Sequence, residues 1–357
     1  MMESGVLRIA HLGSGIFARE AHAPVFIELQ KAGLVQTDVC WSRSIESARG
    51  LADVYEKGLG TAPEVLAGED GLQTVLNRDD ISAVTVVLPI YLQAGYSLRA
   101  IKAGKHVLSE KPIAGSTEEA ESVIREWKET SGSIHYCIAE NYRFEKAFRE
   151  AASGVKEVCG GVISASITAF VPFPEGSKYE STQWRRDSKH LGGVLLDSAV
   201  HFMAGLRLVL GADATEVFSV NSKKTAHMPQ VDTFNAILRF GDKFTASATV
   251  TYATSTHRFN LIVVGSDGVV IVERVGGGYK VTKRRGNDEP SSVTHGFCGV
   301  ENEIDAFVRL CLGKDPIDPS DPDLLDPIHA FSDLAMIEGT VTSGERFVPV
   351  KPPPRIS

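Results

Sequence analysis

A glycine-rich turn between a strand-like and a helix-like segment, close to the start of the chain, most constrains the fold. Residues 7–12 have the apolar pattern of a buried strand. In the turn that follows, the first glycine permits a tight bend, the second lets the backbone approach a pyrophosphate, and an alanine at the third position allows close helix–strand packing. The helix N-terminus adds free N–H groups. An ordinary glycine turn is the alternative, but the context favours a dinucleotide site formed by Gly13, Ser14, Gly15, Ile16 and Phe17, ahead of Ala18.

Strand-like and helix-like segments alternate in the first part of the chain. This alternation is typical of a parallel sheet with crossover helices. Pro24 interrupts the first helix, which should therefore be short or kinked. We predict an α/β fold there, a Rossmann domain with a doubly wound parallel sheet at residues 1–139. Its strands are expected at residues 7–12, 35–41, 83–88 and 106–109, with helices at 71–76 and 92–103.

The later part of the chain has a different texture, rich in Val, Ile, Thr and Phe between turn signals. This pattern indicates a large, mostly antiparallel sheet with few helices. We predict a C-terminal α+β domain at residues 140–357. Its strands are expected at residues 158–169, 231–240, 244–252 and 259–264, and its helices at 194–210, 301–311 and 328–341.

Composition excludes several classes of function. The chain has 357 residues, enough for two domains, and its net charge of −8 disfavours a nucleic-acid partner. Its five cysteines form no CxxC pair and no zinc-like spacing, so we predict free thiols in a reducing compartment and no metal site. The start lacks the pattern of a signal peptide, and no apolar run reaches about 18 residues. The sequence therefore predicts a cytoplasmic protein without membrane contact.

The end of the second predicted strand bears on the choice of cofactor. NAD-binding enzymes usually place Asp or Glu here to accept the ribose hydroxyls, whereas this chain has Ser42 and Arg43. A guanidinium and neighbouring hydroxyls would hold a 2′-phosphate that a carboxylate would repel. A solvated surface arginine is the alternative. The sequence predicts NADP as the cofactor, with NAD less favoured.

Two further strands end in residues suited to a cofactor. Leu88-Pro89 closes the strand at 83–88, and Glu110-Lys111-Pro112 follows the strand at 106–109. Ligands of open parallel sheets bind beyond the carboxyl ends of the strands, so we predict cofactor contacts at Leu88, Pro89, Glu110 and Lys111. Most lysines are surface residues, but Pro112 restricts its predecessor and can aim the Lys111 side chain.

Asp197 and His201 lie four residues apart after Gly192-Gly193. On a helix spanning 194–210 they would share a face, where the carboxylate could orient a histidine that gives or takes a proton. A helix-surface pair is the alternative, and a metal site lacks a third ligand at suitable spacing. We predict that Lys111, Asp197 and His201 converge beside a nicotinamide as catalytic residues that also contact the substrate.

Aromatic and cationic residues precede those glycines. Tyr179 and Trp184 offer aromatic faces, and Arg185 offers a guanidinium. We predict substrate contacts for the two aromatic residues and a cofactor contact for Arg185. Packing at a domain interface is an equally supported alternative.

Taken together, the motifs resemble in order and spacing the glucose–fructose oxidoreductase / inositol dehydrogenase / rhizopine catabolism (Gfo/Idh/MocA) family. The likeness covers most of the chain. It is carried by the segments Gly13–Ala18, Pro89, Glu110-Lys111-Pro112, Glu140-Asn141-Tyr142-Arg143-Phe144, Trp184-Arg185 and Gly192–His201. Two departures concern loop detail: Leu191 stands where family members often have a first glycine, and Ala199 replaces another common glycine.

The resemblance implies an open sheet in the C-terminal domain, through which the chain would form a homodimer or homotetramer. It implies a further cofactor contact at Asn141. It also implies an NADP-dependent oxidoreductase that moves a hydride between the nicotinamide and a carbinol or carbonyl carbon of a sugar, polyol or related small molecule. A non-catalytic NADP-binding regulator of the same fold is the alternative. Loss of the lysine or histidine would favour it, and this chain keeps both Lys111 and His201.

Overall fold

The computed structural model describes residues 5–130, 132–186, 192–315 and 324–354. The chain divides into two compact units. The described part of the first lies within Met1–Ala114, Glu118–Glu140 and Val300–Ile328. That of the second lies within Gly115–Thr117, Asn141–Gly299 and His329–Ser357. The return of residues 300–328 to the first unit had no signal in the sequence, and the domain bounds 1–139 and 140–357 stay a prediction.

The first unit contains a six-stranded sheet. Its strands are β1 (Leu7–Leu12), β2 (Val35–Ser42), β3 (Glu64–Ala67), β4 (Ala83–Val86), β5 (His106–Glu110) and β6 (Tyr136–Ala139). The order is β3-β2-β1-β4-β5-β6, and every pairing is parallel, which confirms the predicted Rossmann fold. All residues of β4 are buried, as expected for a strand covered on both faces. The strand order reverses between β1 and β4, where α/β sheets bind their ligands.

Helices connect these strands. They are α1 (Ala23–Lys31), α2 (Ile45–Leu59), α3 (Gly68–Leu76), α4 (Ile90–Lys102) and α5 (Thr117–Lys128). The first helical region is short and irregular, as predicted from the presence of Pro24. It consists of a single π-helical turn followed by α1. Pro24 lies in the first turn of α1, where its missing N–H breaks no intrahelical hydrogen bond.

The second unit contains a nine-stranded sheet that is antiparallel except for one pairing. Its helical segments are a 3₁₀ turn (Asn141–Phe144), α6 (Lys146–Val158), α7 (Gln183–Arg186), α8 (Val194–Ser198), α9 (Val200–Leu210) and most of α11 (Pro327–Thr342), whereas α10 (Gly299–Cys311) falls almost wholly in the first unit. Its strands are β7 (Val162–Phe170), β8 (Glu216–Ser222), β9 (Thr233–Phe240), β10 (Phe244–Thr251), β11 (Arg258–Gly265), β12 (Gly268–Val275), β13 (Gly278–Arg285), β14 (Ser291–Gly296) and β15 (Val348–Pro349). The order is β14-β13-β12-β11-β7-β10-β9-β8-β15, in which only β7 and β10 run parallel. The predicted open, mostly antiparallel sheet is confirmed.

Strand β9 shows how this sheet divides its two faces. Phe234, Leu238 and Phe240 are buried, whereas the alternate residues Ile237 and Arg239 are exposed. One face therefore contributes to the core, and the other carries both apolar and charged side chains to solvent.

Two sequence predictions for the second unit were wrong in detail. The helix predicted at 194–210 is two helices that meet at Ala199, whose carbonyl oxygen accepts from both Phe202 N and Met203 N in a tightened turn. The strand predicted at 158–169 begins at Val162, because Val158 still belongs to α6. Gly160, with a φ of 66°, separates the helix from the strand.

None of the helices in the described ranges is both long enough and apolar enough to cross a membrane.

Candidate active site

The glycine-rich turn after β1 leaves room for a ligand at Gly15 but not at Gly13. Gly13 has a φ of 110°, and a Cβ there would lie 2.1 Å from the Val87 carbonyl oxygen, so only glycine fits. A Cβ on Gly15 would meet nothing within 4 Å. Ser14 Oγ donates to the Trp41 carbonyl at 3.1 Å and fixes the turn against β2. The turn thus presents an open backbone face, which a dinucleotide diphosphate requires.

Ile16 and Phe17 are half-buried and lead into the π-helical turn. In that turn, Arg19 Nη2 donates to the Ser47 carbonyl at 3.0 Å, which ties the glycine-rich turn to the start of α2. Gly50 makes room for this contact, since a Cβ there would lie 2.8 Å from Arg19 Cζ. Sequence reasoning missed Arg19. A cation one residue past the alanine of the motif was the signal that could have found it.

The predicted phosphate-specificity residues lie where β2 meets α2. Ser42 is the last residue of β2, and Arg43 is exposed just beyond it. Ser44 caps α2 by accepting a hydrogen bond from Ser47 N at 3.3 Å. Arg43 therefore lies next to the positive, N-terminal end of the α2 dipole. Both features favour binding of an anion between β2 and α2.

The ends of β4 and β5 are joined by a glutamine that sequence reasoning also missed. Pro89 follows Leu88 as the N-cap residue of α4. Gln93 Nε2 donates to the Leu88 carbonyl at 3.1 Å and reaches the Lys111 carbonyl at 3.5 Å. Because β4 lies between β1 and β5, the glycine-rich turn, Leu88 and Glu110 share one edge of the sheet. Lys111 is half-buried, and its peptide bond to Pro112 is cis.

The carboxylate of Glu110 is buried rather than open to a ligand. His22 Nε2 donates to Glu110 Oε1 at 2.7 Å, and the histidine is 1% exposed. Glu303 of α10 is also buried, and one donor atom of each of these three residues lies within 4.8 Å of the others. Sequence reasoning predicted no metal site and missed this cluster, because its members come from distant segments.

In the second unit, three predicted residues, Asp197, Trp184 and Tyr179, lie close to the guanidinium of a fourth, Arg185. Arg185 Nε donates to Asp197 Oδ2 at 2.7 Å. The Arg185 guanidinium lies 4.1 Å from the centre of the Trp184 ring and 5.4 Å from that of Tyr179, within cation–π range. Burial, with a further contribution from Asp197, raises the pKa of Tyr252 far above its usual range, so this phenol stays neutral. The cluster offers aromatic faces and one partly buried ion pair.

His201 lies in the first turn of α9 and stacks on an aromatic ring. The Tyr142 ring is 5.0 Å from the imidazole, at an interplanar angle of 16°. Tyr279 donates its hydroxyl to the Tyr142 hydroxyl at 3.1 Å and so fixes the ring. Since α8 and α9 are separate helices, the premise that Asp197 and His201 share one continuous helical face is wrong.

A buried ionic network holds the 3₁₀ turn that carries Tyr142. Asp333, 1% exposed, pairs with the guanidinium groups of Arg143 and Arg207. Such a buried ionic network costs desolvation, but breaking it leaves an uncompensated charge. At the start of this turn, Asn141 Oδ1 is buried and no described group hydrogen-bonds to it. A buried acceptor without a hydrogen bond from the described residues is compatible with the predicted cofactor contact of Asn141.

Each unit thus gathers part of the predicted site. In the first, most of the residues predicted to contact the cofactor lie along the carboxyl edge of the parallel sheet. In the second, the aromatic residues surround the Arg185–Asp197 pair. The grouping of Lys111 with Asp197 and His201 stays a prediction. Leu191, one of the two departures, lies outside the described residues, and Ala199, the other, is the joint between α8 and α9.

Comparison with known proteins accounts for both halves of the chain. A model described as an oxidoreductase family with an NAD-binding Rossmann fold matches residues 7–136. A model of the C-terminal alpha/beta domain of the same oxidoreductase family matches residues 156–351.

Relatives agree with these matches. Dehydrogenase FPY6 of Fusarium mangiferae is 31% identical over 349 residues, which cover 94% of this chain and 95% of that protein. D-xylose 1-dehydrogenase (NADP(+)) 2 of Haloferax volcanii is 30% identical over 168 residues, 47% of this chain and 48% of that protein. An oxidoreductase structure from Thermotoga maritima superposes with a TM-score of 0.81 at 26% identity, covering 96% of this chain and 98% of that one. The chain belongs to the Gfo/Idh/MocA family of oxidoreductases and carries that family's NAD(P)-binding Rossmann domain.

Proposed function

We propose that the protein is an NADP-dependent oxidoreductase that acts on a carbinol or carbonyl carbon of a sugar, polyol or related small molecule. The observation that carries this proposal lies in the first unit. The open turn at Gly15 and the strand end that bears Lys111 share one edge of one sheet. The relative from Haloferax volcanii, named for a sugar and for NADP, supports the substrate class and the cofactor.

The cofactor would be held along this edge. The backbone N–H groups of the glycine-rich turn would bind the diphosphate, and the strand ends would contact the nicotinamide half. NADP, when bound, supplies or accepts a hydride at its nicotinamide ring. The residues proposed for this contact are Gly13, Ser14, Gly15, Ile16, Phe17, Leu88, Pro89, Glu110, Lys111, Asn141 and Arg185.

Preference for NADP over NAD would come from the corner between β2 and α2. Ser42 and the exposed Arg43 would bind the 2′-phosphate through charge-assisted hydrogen bonds, aided by the positive end of α2. A carboxylate, which would compete with that phosphate, is missing from these two positions.

Proton transfer would fall to Lys111, Asp197 and His201. His201 would take or give the hydroxyl proton of the substrate, and Asp197 would orient the His201 imidazole. Lys111 would hold the substrate oxygen and stabilise its developing charge. The aromatic faces of Tyr179 and Trp184 would pack against the apolar faces of the substrate ring.

The outer face of the nine-stranded sheet is the proposed surface for a homodimer or homotetramer. Apolar side chains from separate strands are exposed on it, including Val264 at 42%, Val220 at 42% and Ile237 at 40%. Exposed apolar groups spread over one sheet face favour burial against a second copy. We propose a cytoplasmic location, which suits the five free cysteines. No nucleic acid or membrane is proposed as a partner.

The test combines a substrate panel with binding measurements. Wild-type protein should oxidise NADPH with at least one member of a panel of ketoses, aldoses and keto-inositols. Lys111→Ala and His201→Ala should keep NADPH affinity but lose roughly 10²–10⁴-fold in turnover, the usual yield of a positioned acid–base group. Their losses should not add in the double variant. Lys102→Ala, which removes an exposed lysine of α4, is the matched control and should keep full activity.

Two outcomes would contradict the proposal. If both variants keep wild-type turnover, the catalytic assignment is wrong. If the wild type binds NADPH tightly but turns over no panel member, the non-catalytic regulator gains support instead.

A further inference from the structure

We propose that His22 is a positioning residue, whose hydrogen bond to Glu110 holds the Lys111 segment in register with the glycine-rich turn. The inference rests on the proposed function of Lys111. It assigns a task to a buried histidine that the sequence motifs leave unused. It also gives the Glu110 carboxylate a partner other than the cofactor.

The contact joins two segments that lie 88 residues apart in the chain. His22 ends the π-helical turn that follows the dinucleotide turn, and Glu110 ends β5. The hydrogen bond runs from the Nε2–H group of His22 to the carboxylate oxygen Oε1 of Glu110, at 2.7 Å. Both residues are buried, at 1% and 7% exposure, so water does not compete for the bond.

Aromatic neighbours fix the imidazole ring itself. The Phe17 ring meets it edge-on at 5.4 Å, and the Phe26 ring lies at 6.4 Å. Glu303 of α10 approaches within 4.8 Å with one carboxylate oxygen, so a second acid closes the cluster. The histidine is therefore held on several sides rather than free to rotate away from Glu110.

This arrangement connects the two halves of the proposed cofactor site. Phe17 belongs to the dinucleotide turn and contacts His22, while Glu110 is bonded covalently to Lys111. The ring contact between Phe17 and His22 and the hydrogen bond between His22 and Glu110 would thus position a cofactor bound at Gly15 relative to the amine of Lys111. Displacement of a catalytic group by about 1 Å can cost on the order of a hundredfold in rate. Loss of the hydrogen bond between His22 and Glu110 would therefore lower kcat by displacing Lys111.

The main test compares two substitutions of His22. Gln places an amide N–H close to the position of Nε2, whereas Leu fills the space without a donor. We expect His22→Leu to lower kcat by roughly tenfold or more and to leave the dissociation constant of NADPH within about threefold of wild type. His22→Gln should recover most of the lost kcat, because the donor to Glu110 is restored.

A second buried histidine supplies the control for general destabilisation. His11 of β1 is 2% exposed and bonds through its ring nitrogens to Thr85 Oγ1 at 2.7 Å and Tyr55 Oη at 2.6 Å. His11→Leu should lower the melting temperature much as His22→Leu does, yet keep kcat near the wild-type value. Equal losses of kcat in the two Leu variants would overturn the proposal.

Two arms keep the test decisive if His22→Leu does not fold or if no substrate is found. The double variant His22→Leu/Glu110→Leu removes the Glu110 carboxylate that His22→Leu alone would leave without its donor, and it should fold and show the same low kcat. The rate at which an acylating reagent modifies Lys111, followed by peptide mapping, needs no turnover. That rate should rise in His22→Leu and stay at the wild-type value in His22→Gln and His11→Leu.

The outcomes separate this proposal from the proposed function. A wild type without turnover would refute the function, while a changed rate of Lys111 modification would still support the positioning role. An unchanged modification rate together with wild-type kcat in His22→Leu would refute the role of His22. Tight binding of Zn²⁺ by the wild type, lost in His22→Leu, would also refute it, because the cluster would then be a metal site.

Discussion

Replacing each of the two glycines in the dinucleotide turn by alanine should separate folding from cofactor binding. At Gly15 a Cβ would meet no protein atom within 4 Å, and the backbone is not in the left-handed region. Gly15→Ala should therefore fold normally, and loss of unfolded-state entropy could stabilise it by about 0.4–1 kcal/mol. The new methyl group would instead occupy the space through which a diphosphate approaches the backbone.

Gly13→Ala should behave in the opposite way. Its φ of 110° and the 2.1 Å approach to the Val87 carbonyl oxygen leave no space for a Cβ. The strained dihedral costs about 1–3 kcal/mol. Relief of the clash requires a backbone shift, and overpacking of this kind typically costs a further 1–3 kcal/mol or so. We expect the free energy of unfolding to fall by about 2–6 kcal/mol, with cofactor binding lost as a consequence.

The assay measures urea denaturation and NADPH fluorescence titration on the same samples. Gly15→Ala should keep or slightly raise the denaturation midpoint of the wild type and weaken NADPH binding by about tenfold or more, the equivalent of one lost backbone contact to a charged group. If Gly15→Ala bound NADPH as tightly as the wild type, the diphosphate would not lie over this residue. If Gly13→Ala were as stable as the wild type, the close approach to Val87 would be wrong.

Two further expectations concern single side chains. Arg43→Ala should raise the dissociation constant of NADPH by roughly tenfold, the lower end for a hydrogen bond to a charged group at an exposed site, and leave that of NADH unchanged. Arg49→Ala, which removes an exposed arginine of the adjoining helix α2, should alter neither constant, and equal effects of both variants would identify a general electrostatic field rather than a phosphate contact. Tyr142→Phe should keep the ring stacked on His201 and retain kcat. Tyr142→Leu should lower kcat by about two- to tenfold, because such ring pairs are worth about 0.5–1.5 kcal/mol. Wild-type kcat in Tyr142→Leu would show that the stack does not position His201.

The sequence predicted β1, β2, β4 and β5 of the parallel sheet because their signals are local, whereas it predicted neither β3 nor β6. A strand such as β4, buried at every residue, shows a short run rich in β-branched residues, and the helices that alternate with such strands show their own period. The glycine-rich turn was equally legible because its glycine spacing lies between a strand and a helix, although the need for glycine at position 13 arises from the backbone of Val87, which is distant in the sequence. Strand β14 was missed for the opposite reason. Four of its six residues in succession are exposed, so no apolar alternation marks it.

Predictions failed where distant segments decide the structure. The break between α8 and α9 occurs at Ala199, which is neither proline nor glycine. The sequence at residues 194–210 therefore looks like one helix. The bond between His22 and Glu110 joins a helical turn to a strand end, and no spacing rule connects them. Arg19 and Gln93 tie their segments together in the same way, through backbone carbonyls that any residue could supply. Contacts of this type are readable only once the fold is known.

The Arg185–Asp197 pair changes how the second unit must be tested. Both side chains are mostly buried, at 21% and 12% exposure, so the pair is screened less than a surface ion pair. Arg185→Ala would remove the Arg185 cation from the Asp197 carboxylate, and a loss of activity could then come from Asp197 as easily as from a lost cofactor contact. Arg185→Lys keeps the charge but cannot bond both Asp197 and Thr182 through a planar fork. If the pair acts as a unit, Arg185→Ala and Asp197→Asn should each impair turnover, and the double variant should lose less than the product of the two effects. Multiplying losses would instead assign Arg185 and Asp197 to independent tasks.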